Sequence, residues 1–234
     1  MGSPEGRVAL VTGTNRGSGR GIAAELHRRG YRVHSLNRTL TNEEWLHEQP
    51  CDLADPAQIR AAVDRVVAAA GRLDVCVSNA VSRVLAPIEE MDEALWDRQL
   101  AVNLSANFHL VRAALPAVRD RRGIFVFMGT HAGSRFFEGG VGYSTTKAAM
   151  KAFVETLLLE ERRNGVRACL VSPGAIANLA GDDSPHKIAV ESVGWCVASL
   201  VDTLPDDMVV GEIEIRPASP PRPPVTGIGR LLHV

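Results

Sequence analysis

The chain has 234 residues, of which 45% are hydrophobic, and its formal net charge is −1. This length and apolar content suit one domain with a full hydrophobic core, so we predict a single domain over residues 1–234. The near-neutral charge excludes the basic excess that is typical of proteins that bind nucleic acid or an anionic membrane surface.

Neither a membrane segment nor a metal site is predicted. No apolar run approaches the roughly 18 residues that a membrane span requires, and the polar N-terminus has no signal-peptide pattern. The four cysteines are far apart and form no C-x-x-C motif. We therefore expect free thiols and a cytoplasmic protein.

Short runs with strand-forming composition alternate along the chain with runs of helical periodicity. In chain order we predict strand Arg7–Thr12, helix Arg20–Arg29, strand Tyr31–Leu36, helix Thr41–Gln49, strand Cys51–Leu53, helix Pro56–Gly71, strand Leu73–Ser78, helix Glu93–Arg119, strand Ile124–Met128, helix Tyr143–Arg163, strand Val166–Val171, helix Ser184–Leu204 and strand Glu212–Arg216. For the third of these helices, Asp55 is the predicted N-cap, Pro56 the first helical residue and Gly71 the end. This alternation predicts an α/β fold with a doubly wound parallel sheet of about seven strands and helices on both faces. A proline-rich tail follows from about residue 217.

A glycine-rich turn joins the first predicted strand to the first predicted helix. It reads Gly13-Thr14-Asn15-Arg16-Gly17-Ser18-Gly19. Glycines let the backbone turn tightly and approach a pyrophosphate, and the following helix offers unpaired N–H groups and a positive dipole end. This context indicates a dinucleotide phosphate site, and the alternative is a loop that only turns.

The end of the second predicted strand is where dinucleotide-binding folds select their cofactor. An acidic residue there binds a ribose 2′-hydroxyl, whereas an arginine accommodates a 2′-phosphate. This chain has Asn37-Arg38 and no acid at that point. Arg38 and Arg16 could flank one phosphate, which favours NADP(H), with NAD(H) as the less favoured cofactor. The alternative is that either arginine is a solvated surface charge.

Tyr143 and Lys147 stand four residues apart in a run with helical periodicity. Such a pair projects from one face of a helix, which places a phenol beside an ammonium group. A nearby cation lowers the pKa of a tyrosine, and a phenol that titrates near working pH is a general acid or base. By itself the pair is weak evidence, since a tyrosine packed on a lysine stem gives the same pattern.

The combined order and spacing of these motifs resemble those of the short-chain dehydrogenase/reductases over nearly the whole chain. The matching segments are Thr12-Gly13-x-x-x-Gly17-x-Gly19, Asp52-Leu53, Asn79-Ala80, Asn103, Tyr143-x-x-x-Lys147 and Pro173-Gly174. The resemblance implies a Rossmann-like fold in which Tyr143 transfers a proton to or from the substrate oxygen. It also implies that Lys147 holds the nicotinamide ribose and biases Tyr143 toward phenolate, and that Asn103 holds a water in a proton relay.

The resemblance extends to the cofactor site and to a third catalytic residue. Asp52-Leu53 would contact the adenine, Asn79-Ala80 the adenine ribose region, and Pro173-Gly174 and Ile176 the nicotinamide. The family usually has serine thirteen residues before the tyrosine, where this chain has Thr130. Its hydroxyl can still bind the substrate oxygen; the alternative is a threonine that only caps a strand end. The predicted cofactor-binding residues are Gly13, Asn15, Arg16, Gly17, Ser18, Gly19, Asn37, Arg38, Asp52, Leu53, Asn79, Ala80, Tyr143, Lys147, Pro173, Gly174, Ile176 and Asn178.

Two further positions depart from the family pattern. Val81 replaces the glycine of Asn-Ala-Gly, and Asn178 stands where threonine usually binds the nicotinamide amide. The segment at about 178–183, where relatives often insert a lid, is short. We therefore expect an open pocket unless the proline-rich tail covers it. His131 could face the substrate, although a lone histidine in this position is more often a pocket or surface residue.

These observations lead to two main hypotheses. The first is an NADP(H)-dependent oxidoreductase that acts on a small carbonyl or alcohol substrate, as a ketoreductase or an alcohol dehydrogenase. The alternative is a catalytically weak NADP(H)-binding sensor or scaffold protein, which the changes at Thr130, Val81 and Asn178 would favour. A dehydratase or epimerase is disfavoured because no C-terminal substrate domain is predicted. The resemblance also implies a homodimer or homotetramer in which the helices near 93–119 and 143–163 pair across a two-fold axis.

Overall fold

A computed structural model describes residues 6–179, 181–182, 184–205 and 207–219. These residues form a seven-stranded sheet in the order β3-β2-β1-β4-β5-β6-β7, and every pairing is parallel. The strands are β1 Val8–Thr12, β2 Arg32–Asn37, β3 Leu46–Pro50, β4 Val75–Ser78, β5 Ile124–Met128, β6 Arg167–Pro173 and β7 Glu212–Ile215. The predicted doubly wound α/β fold is confirmed.

Six α-helices among the described residues cover the two faces of the sheet. They are α1 Gly17–Arg28, α2 Pro56–Ala70, α3 Glu93–Leu100, α4 Ala106–Arg119, α5 Val141–Glu161 and α6 Val190–Thr203. One buried apolar layer contains residues of α2, α4 and α5, and the other contains residues of α1 and α6. Along β1, Leu10 belongs to the first layer, whereas its neighbours Ala9 and Val11 belong to the second. This alternation is the period of two that a strand buried on both faces requires.

Helix α2 shows how local sequence sets the ends of an element. The Asp55 side chain accepts hydrogen bonds from the backbone N–H groups of Ala57 and Gln58, and Pro56 occupies the first helical position. Gly71 ends the helix in the left-handed conformation, with φ of 70°. These are the predicted cap residues, and each satisfies a backbone requirement of a helix end.

The long predicted helix over 93–119 is interrupted. Helices α3 and α4 are joined by a π-helical turn over Ala101–Ser105, which contains Asn103. Pro116 lies inside α4, and the helix continues to Arg119. A π-turn inserts one extra residue per turn and redirects the side chains that follow, and such turns are frequent at functional sites.

Two predictions beside the second strand are wrong. The predicted helix 41–49 and strand 51–53 are replaced by the edge strand β3, which pairs with β2 from Leu46 to Pro50. Leu46 is buried in the layer that contains α1, and Trp45 packs against the same layer. An apolar pair can anchor a short helix or an edge strand equally well, so periodicity alone could not decide between them.

Two predicted helix starts are also wrong. Helix α1 begins at Gly17 rather than at Arg20, directly after the glycine turn. Helix α6 begins at Val190 rather than at Ser184. The preceding residues are held beside the end of β6, because Ile188 N donates to Ala175 O at 2.8 Å and Ala177 N donates to Ile188 O at 2.9 Å. Of the predicted proline-rich tail, residues 220–234 lie outside the described residues.

The strand order reverses between β1 and its two neighbours, β2 and β4. In a parallel sheet all strands end at the same edge, and ligands bind beside the point of reversal. The residues that directly follow β1, β4 and β5 are Gly13, Asn79 and Gly129. The fold therefore gathers the predicted cofactor and catalytic segments at one edge of the sheet.

Candidate active site

The glycine turn has a backbone that side chains would not tolerate. Gly13 and Gly17 have φ of 73° and 58°, in the left-handed region that favours glycine. A Cβ atom at Gly19 would lie 2.0 Å from the carbonyl oxygen of Gly13. The backbone at these glycines is therefore not covered by side chains of their own, which lets a phosphate approach it closely.

The N-terminus of α1 has an acceptor supplied from a distant part of the chain. Arg16 occupies the cap position, and its side chain makes no capping hydrogen bond with the described residues. Instead, Asn178 Oδ1 accepts from Ser18 N at 2.9 Å. This amide oxygen stands in for the oxygen of an anion at the helix N-terminus. Asn178 thus contacts the phosphate end of the site in this structure, and its role at the nicotinamide amide stays a prediction.

A cleft of about 410 Å³ runs from the glycine turn along the ends of β2 and β4. Twelve of the predicted cofactor-binding residues line it: Gly13, Asn15, Arg16, Gly17, Ser18, Asn37, Arg38, Asp52, Leu53, Asn79, Ala80 and Asn178. Gly19 is buried beneath the turn. Residues that are up to 165 positions apart in sequence are therefore brought to one cleft (from Gly13 to Asn178).

Arg16 and Arg38 both line this cleft and are exposed. Neither forms an ion pair within 4.0 Å with a described carboxylate. Two guanidinium groups without a close ion-pair partner among the described residues, one directly after β2 and one at the N-terminus of α1, suit a phosphate group.

Asn37 is occupied by contacts within the protein. Its Oδ1 accepts from Thr14 N at 2.8 Å, and its Nδ2 donates to Thr14 Oγ1 at 2.8 Å and to Glu48 Oε1 at 2.9 Å. Glu48 also accepts from the backbone N–H groups of Thr41 and Asn42. Burial raises the pKa of Glu48, but these hydrogen bonds outweigh it and the net pKa is lowered. Asn37 therefore fixes the loop that carries Arg38.

Two other predicted cofactor contacts also hold the cleft together. Both Asp52 carboxylate oxygens accept from Arg98 at 3.0 Å, and this pair is the main cause of the lowered pKa of Asp52. Asn79 Nδ2 donates to the carbonyl oxygens of Thr12 and Gly13 at 3.1 and 3.2 Å. Asn79 thus ties the end of β4 to the glycine turn.

Three of the four predicted catalytic side chains, all except Asn103, line a second cavity of about 490 Å³ that adjoins the cleft. Thr130, Tyr143 and Lys147 line it together with Pro173, Gly174 and Ile176. Thr130 follows the end of β5, whereas Tyr143 and Lys147 lie in the first two turns of α5. Ser18, Asn79 and Asn178 border both spaces, so the cleft and the cavity are continuous.

Burial moves the pKa values of Tyr143 and Lys147 in opposite directions. It raises the pKa of Tyr143, against smaller lowering effects of the Thr130 hydrogen bond and the Arg83 charge. It lowers the pKa of Lys147 to about 8. Lys147 Nζ donates to the Met128 carbonyl oxygen at 2.7 Å and is not among the groups that lower the pKa of Tyr143. The prediction that Lys147 lowers the pKa of Tyr143 is wrong for this structure.

From the sequence, the Thr130 hydroxyl was expected either to act at the catalytic oxygen or to cap a strand end, and the structure shows contacts of both kinds. It is the N-cap of a 3₁₀ turn over His131–Gly133, where its Oγ1 accepts from Ala132 N at 3.4 Å. It also hydrogen-bonds the Tyr143 phenol and thereby lowers its pKa. A hydroxyl in this position can bind the oxygen that Tyr143 protonates.

Asn103 is buried in the π-turn and holds the loop that follows β4. Its Oδ1 accepts from Ser82 N at 2.8 Å, and its Nδ2 donates to Ser82 O at 2.9 Å and to Thr146 Oγ1 at 3.2 Å. It is thus linked to α5 one residue before Lys147. The contacts seen are structural, and the relay role of Asn103 stays a prediction.

His131 lines the cavity but faces β7. It is buried, and its Nε2 lies 3.3 Å from Glu214 Oε1.

Val81, which replaces a glycine, is 46% exposed at the junction of the cleft and the cavity. The predicted cover by the tail concerns residues that mostly lie outside those described.

Sequence reasoning missed three residues of this site. Glu48 accepts a hydrogen bond from Asn37, and Arg98 forms an ion pair with Asp52. Arg83 lies over the ring of Tyr143. No local motif marks them, because their partners lie 11, 46 and 60 residues away in the chain.

Size alone does not locate the site. A larger cleft, of about 750 Å³, lies at the opposite edge of the sheet and contains none of the predicted site residues.

Within the described part of the chain, no group of three or more His, Cys, Asp or Glu side chains could hold a metal ion. Among the helices described, none has the length and apolar character needed to cross a membrane.

The chain matches the family model described as short chain dehydrogenase over residues 7–187. It belongs to that family. The chain is therefore an oxidoreductase of a family that acts on alcohol or carbonyl groups.

Relatives of this short-chain dehydrogenase include enzymes and solved structures. D-threitol dehydrogenase of Mycolicibacterium smegmatis is 32% identical over 204 residues, which cover 81% of this chain and 78% of the relative. A metagenomic short-chain oxidoreductase in complex with NADP is 31% identical, with a TM-score of 0.82 over 93% of this chain and 100% of that chain. An alcohol dehydrogenase of Thermococcus sibiricus complexed with 5-hydroxy-NADP is 25% identical, with a TM-score of 0.83 over 94% and 99% of the two chains.

Proposed function

We propose that this short-chain dehydrogenase is an NADP(H)-dependent ketoreductase or alcohol dehydrogenase. The observation that carries the proposal is the convergence of Thr130, Tyr143 and Lys147 on a cavity that opens into the glycine-turn cleft. The cofactor fits that cleft, because the glycines let a phosphate approach the backbone closely and the N-terminus of α1 takes an oxygen acceptor, here the Asn178 amide oxygen that a phosphate oxygen would replace. When bound, the nicotinamide supplies or accepts the hydride.

The protein's own groups would manage the proton and the substrate oxygen. Tyr143 donates its phenolic proton to a carbonyl oxygen in reduction and removes the proton from an alcohol in oxidation. The Thr130 hydroxyl donates a hydrogen bond to the same oxygen as its charge develops. Lys147, which is buried beside them, holds the nicotinamide ribose and can exchange a proton near neutral pH because its pKa is lowered to about 8.

Replacement of Tyr143 by Phe tests this function. The variant keeps the ring but has no proton to transfer, so we expect turnover of ketones with NADPH to fall by ~10²–10⁴. The affinity for NADPH, followed by nicotinamide fluorescence, should stay within about threefold of the wild type, since the phenol contributes one contact among many. Full turnover by the variant would contradict the proposed role.

The preference for NADP(H) is supported by Arg16 and Arg38 and by the relatives solved with NADP. We expect NADPH to bind at least tenfold more tightly than NADH, and Arg38→Leu to remove most of that difference. Equal affinities would mean that both arginines are surface charges. Failure of either nucleotide to bind would contradict the assignment of the glycine turn.

A second candidate is a catalytically weak NADP(H)-binding sensor or scaffold. The position of Asn178, whose amide oxygen already occupies the helix N-terminus, favours it. Tight NADPH binding without turnover of any ketone or alcohol would support this second function, and turnover that depends on Tyr143 would exclude it.

We also propose that the chain acts as one domain and assembles as a homodimer or homotetramer. The described residues share one sheet, which supports the single domain. Helices α3, α4 and α5 expose the large apolar side chains Leu95, Phe108 and Leu159. Large exposed apolar groups on neighbouring helices are typical of interfaces. The cytoplasmic location stays a prediction from the sequence.

A further inference from the structure

Arg83 brings a positive charge to the edge of the catalytic cavity. Its side chain is exposed and borders both the cavity and the nucleotide cleft. Its guanidinium carbon lies 5.8 Å from the centroid of the Tyr143 ring. No carboxylate of the described residues lies within 4.0 Å to form an ion pair with it.

The other basic side chains among the described residues of the cavity have hydrogen-bond or ion-pair partners. Lys187 Nζ lies 2.6 Å from Asp182 Oδ2. Lys147 Nζ donates to a backbone carbonyl oxygen, and the His131 ring lies beside Glu214. Of the cations among the described residues of this cavity, Arg83 and Lys147 have no ion-pair partner within 4.0 Å, and Arg83 is the exposed one while Lys147 is buried and bound to a carbonyl oxygen.

The backbone on both sides of Arg83 is held in place. Ser82 exchanges two hydrogen bonds with the buried Asn103 side chain, at 2.8 and 2.9 Å. Ala86 N donates to Gly139 O at 2.9 Å, just before α5 begins. A cation on a segment fixed at both ends loses less conformational entropy when it binds a ligand.

We propose that Arg83 binds a carboxylate carried by the substrate, so that this enzyme prefers oxo acids and hydroxy acids to neutral ketones and alcohols. A guanidinium group is planar and offers parallel N–H donors that match a carboxylate. Apolar side chains such as Phe137 and Ile176 complete the cavity wall and suit the carbon chain between the two ends of such a substrate. This inference depends on the proposed function, because it concerns the compound that exchanges a proton with Tyr143.

The test compares 4-oxopentanoate with its methyl ester, which has the same ketone but no charge. Binding is measured by titration calorimetry on the enzyme saturated with NADP⁺, which cannot reduce a ketone. We expect the acid to bind at least about tenfold more tightly than the ester, as a charge-assisted hydrogen bond implies. Arg83→Leu should remove this preference, and Arg83→Lys should restore part of it.

Arg121→Leu is the matched control, because Arg121 is exposed at the opposite edge of the sheet. It removes the same charge from the protein and should leave the preference for the acid unchanged. Equal binding of the acid and the ester to the wild type would overturn the inference, as would a preference that survives in Arg83→Leu. A tenfold loss of NADP⁺ affinity in Arg83→Leu, with the preference unchanged, would instead make Arg83 a cofactor ligand.

Turnover with NADPH separates this inference from the proposed function. Reduction of the ester without any preference for the acid would overturn the role of Arg83 and leave the oxidoreductase in place. Arg83-dependent binding of the acid, with no reduction of either compound, would support the anion site and contradict the proposed activity.

Discussion

Tyr143 and Lys147 illustrate how burial controls charge at the residue scale. Neutral forms of both groups are favoured, since the pKa of Tyr143 is raised and that of Lys147 is lowered to about 8. The lysine therefore titrates at a lower pH than the tyrosine, although the opposite order holds in water. The groups that assist the tyrosine are Thr130 and Arg83, which lie outside its own helix.

The first prediction at this scale concerns the hydrogen bond from Thr130. Thr130→Val keeps the shape of the side chain but removes the donor, so the pKa of Tyr143 should rise further. Alcohol oxidation needs the deprotonated phenol, and the rise of kcat with pH should move to higher pH. We also expect kcat to fall by about 10²–10³, since a donor to the reacting oxygen is lost.

Thr130→Ser is the control, because it keeps the hydroxyl and should stay within about tenfold of the wild type. A pH profile of kcat that is unchanged in Thr130→Val would mean that the hydroxyl only caps the 3₁₀ turn.

The second prediction concerns the free energy of unfolding. The pKa of Lys147 falls from its ordinary 10.5 to about 8 on folding. Between these values the unfolded chain binds more protons than the folded one, so stability rises with pH in that window. From pH 7.5 to 9.5 the wild type should gain about 2 kcal/mol relative to Lys147→Met. Urea titrations of both proteins, at the same protein concentration, measure the free energy of unfolding at each pH. If this free energy changed with pH by the same amount in both proteins, the lowered pKa of Lys147 would be contradicted.

At the scale of elements, the glycine turn gives the third prediction. A methyl group at Gly19 would lie 2.0 Å from a carbonyl oxygen, so Gly19→Ala must displace the turn from the N-terminus of α1. We expect NADPH affinity to fall at least about tenfold, because the N–H groups that bind phosphate lose their alignment. Gly211→Ala is the control, since its new Cβ would meet Leu158 at an ordinary contact distance of 3.4 Å. Similar NADPH affinities for the two variants would contradict the role of the turn.

The elements also show what a sequence can and cannot reveal. The helix α2 was predicted with both caps, because Asp55, Pro56 and Gly71 act on the backbone next to them. The β5 strand was predicted with its observed bounds, because a fully buried strand is apolar throughout. Edge strand β3 was missed because it is largely polar and is held mainly by backbone pairing with β2.

The residues of the candidate site divide in the same way. Gly13, Tyr143 and the other motif residues were predicted because their chemistry depends on neighbours a few positions away. The partners Arg83 and Arg98 were not, because they meet the site only after the sheet has formed. The π-turn around Asn103 was also invisible, since it leaves the apolar periodicity of the surrounding helices intact.

At the scale of the whole molecule, assembly is the fourth prediction. Phe108 on α4 and Leu159 on α5 are 48% and 52% exposed, respectively. If these helices pair across a two-fold axis, the double variant Phe108→Glu/Leu159→Glu should shift the sedimentation coefficient toward that of a monomer, because buried unpaired charge is costly. Ile88→Glu is the control, because Ile88 is 78% exposed and lies outside these helices, and it should leave the sedimentation coefficient unchanged. A wild type that sediments as a monomer would contradict the proposed assembly.

The hydrogen bond between Ser18 and Asn178 has a consequence for how the two parts of the site communicate. Asn178 belongs to the segment after β6, and Leu179 from the same segment borders both the cleft and the cavity. A phosphate that reaches the N-terminus of α1 must displace the Asn178 amide oxygen. The measured nucleotide affinity is therefore the difference between the hydrogen bond to the phosphate and the hydrogen bond to Asn178 that is lost. The same displacement removes the contact that ties the Asn178 side chain to the N-terminus of α1. We therefore expect the cofactor to bind first and the substrate second, because the Asn178 side chain leaves the N-terminus of α1 only when a phosphate replaces it.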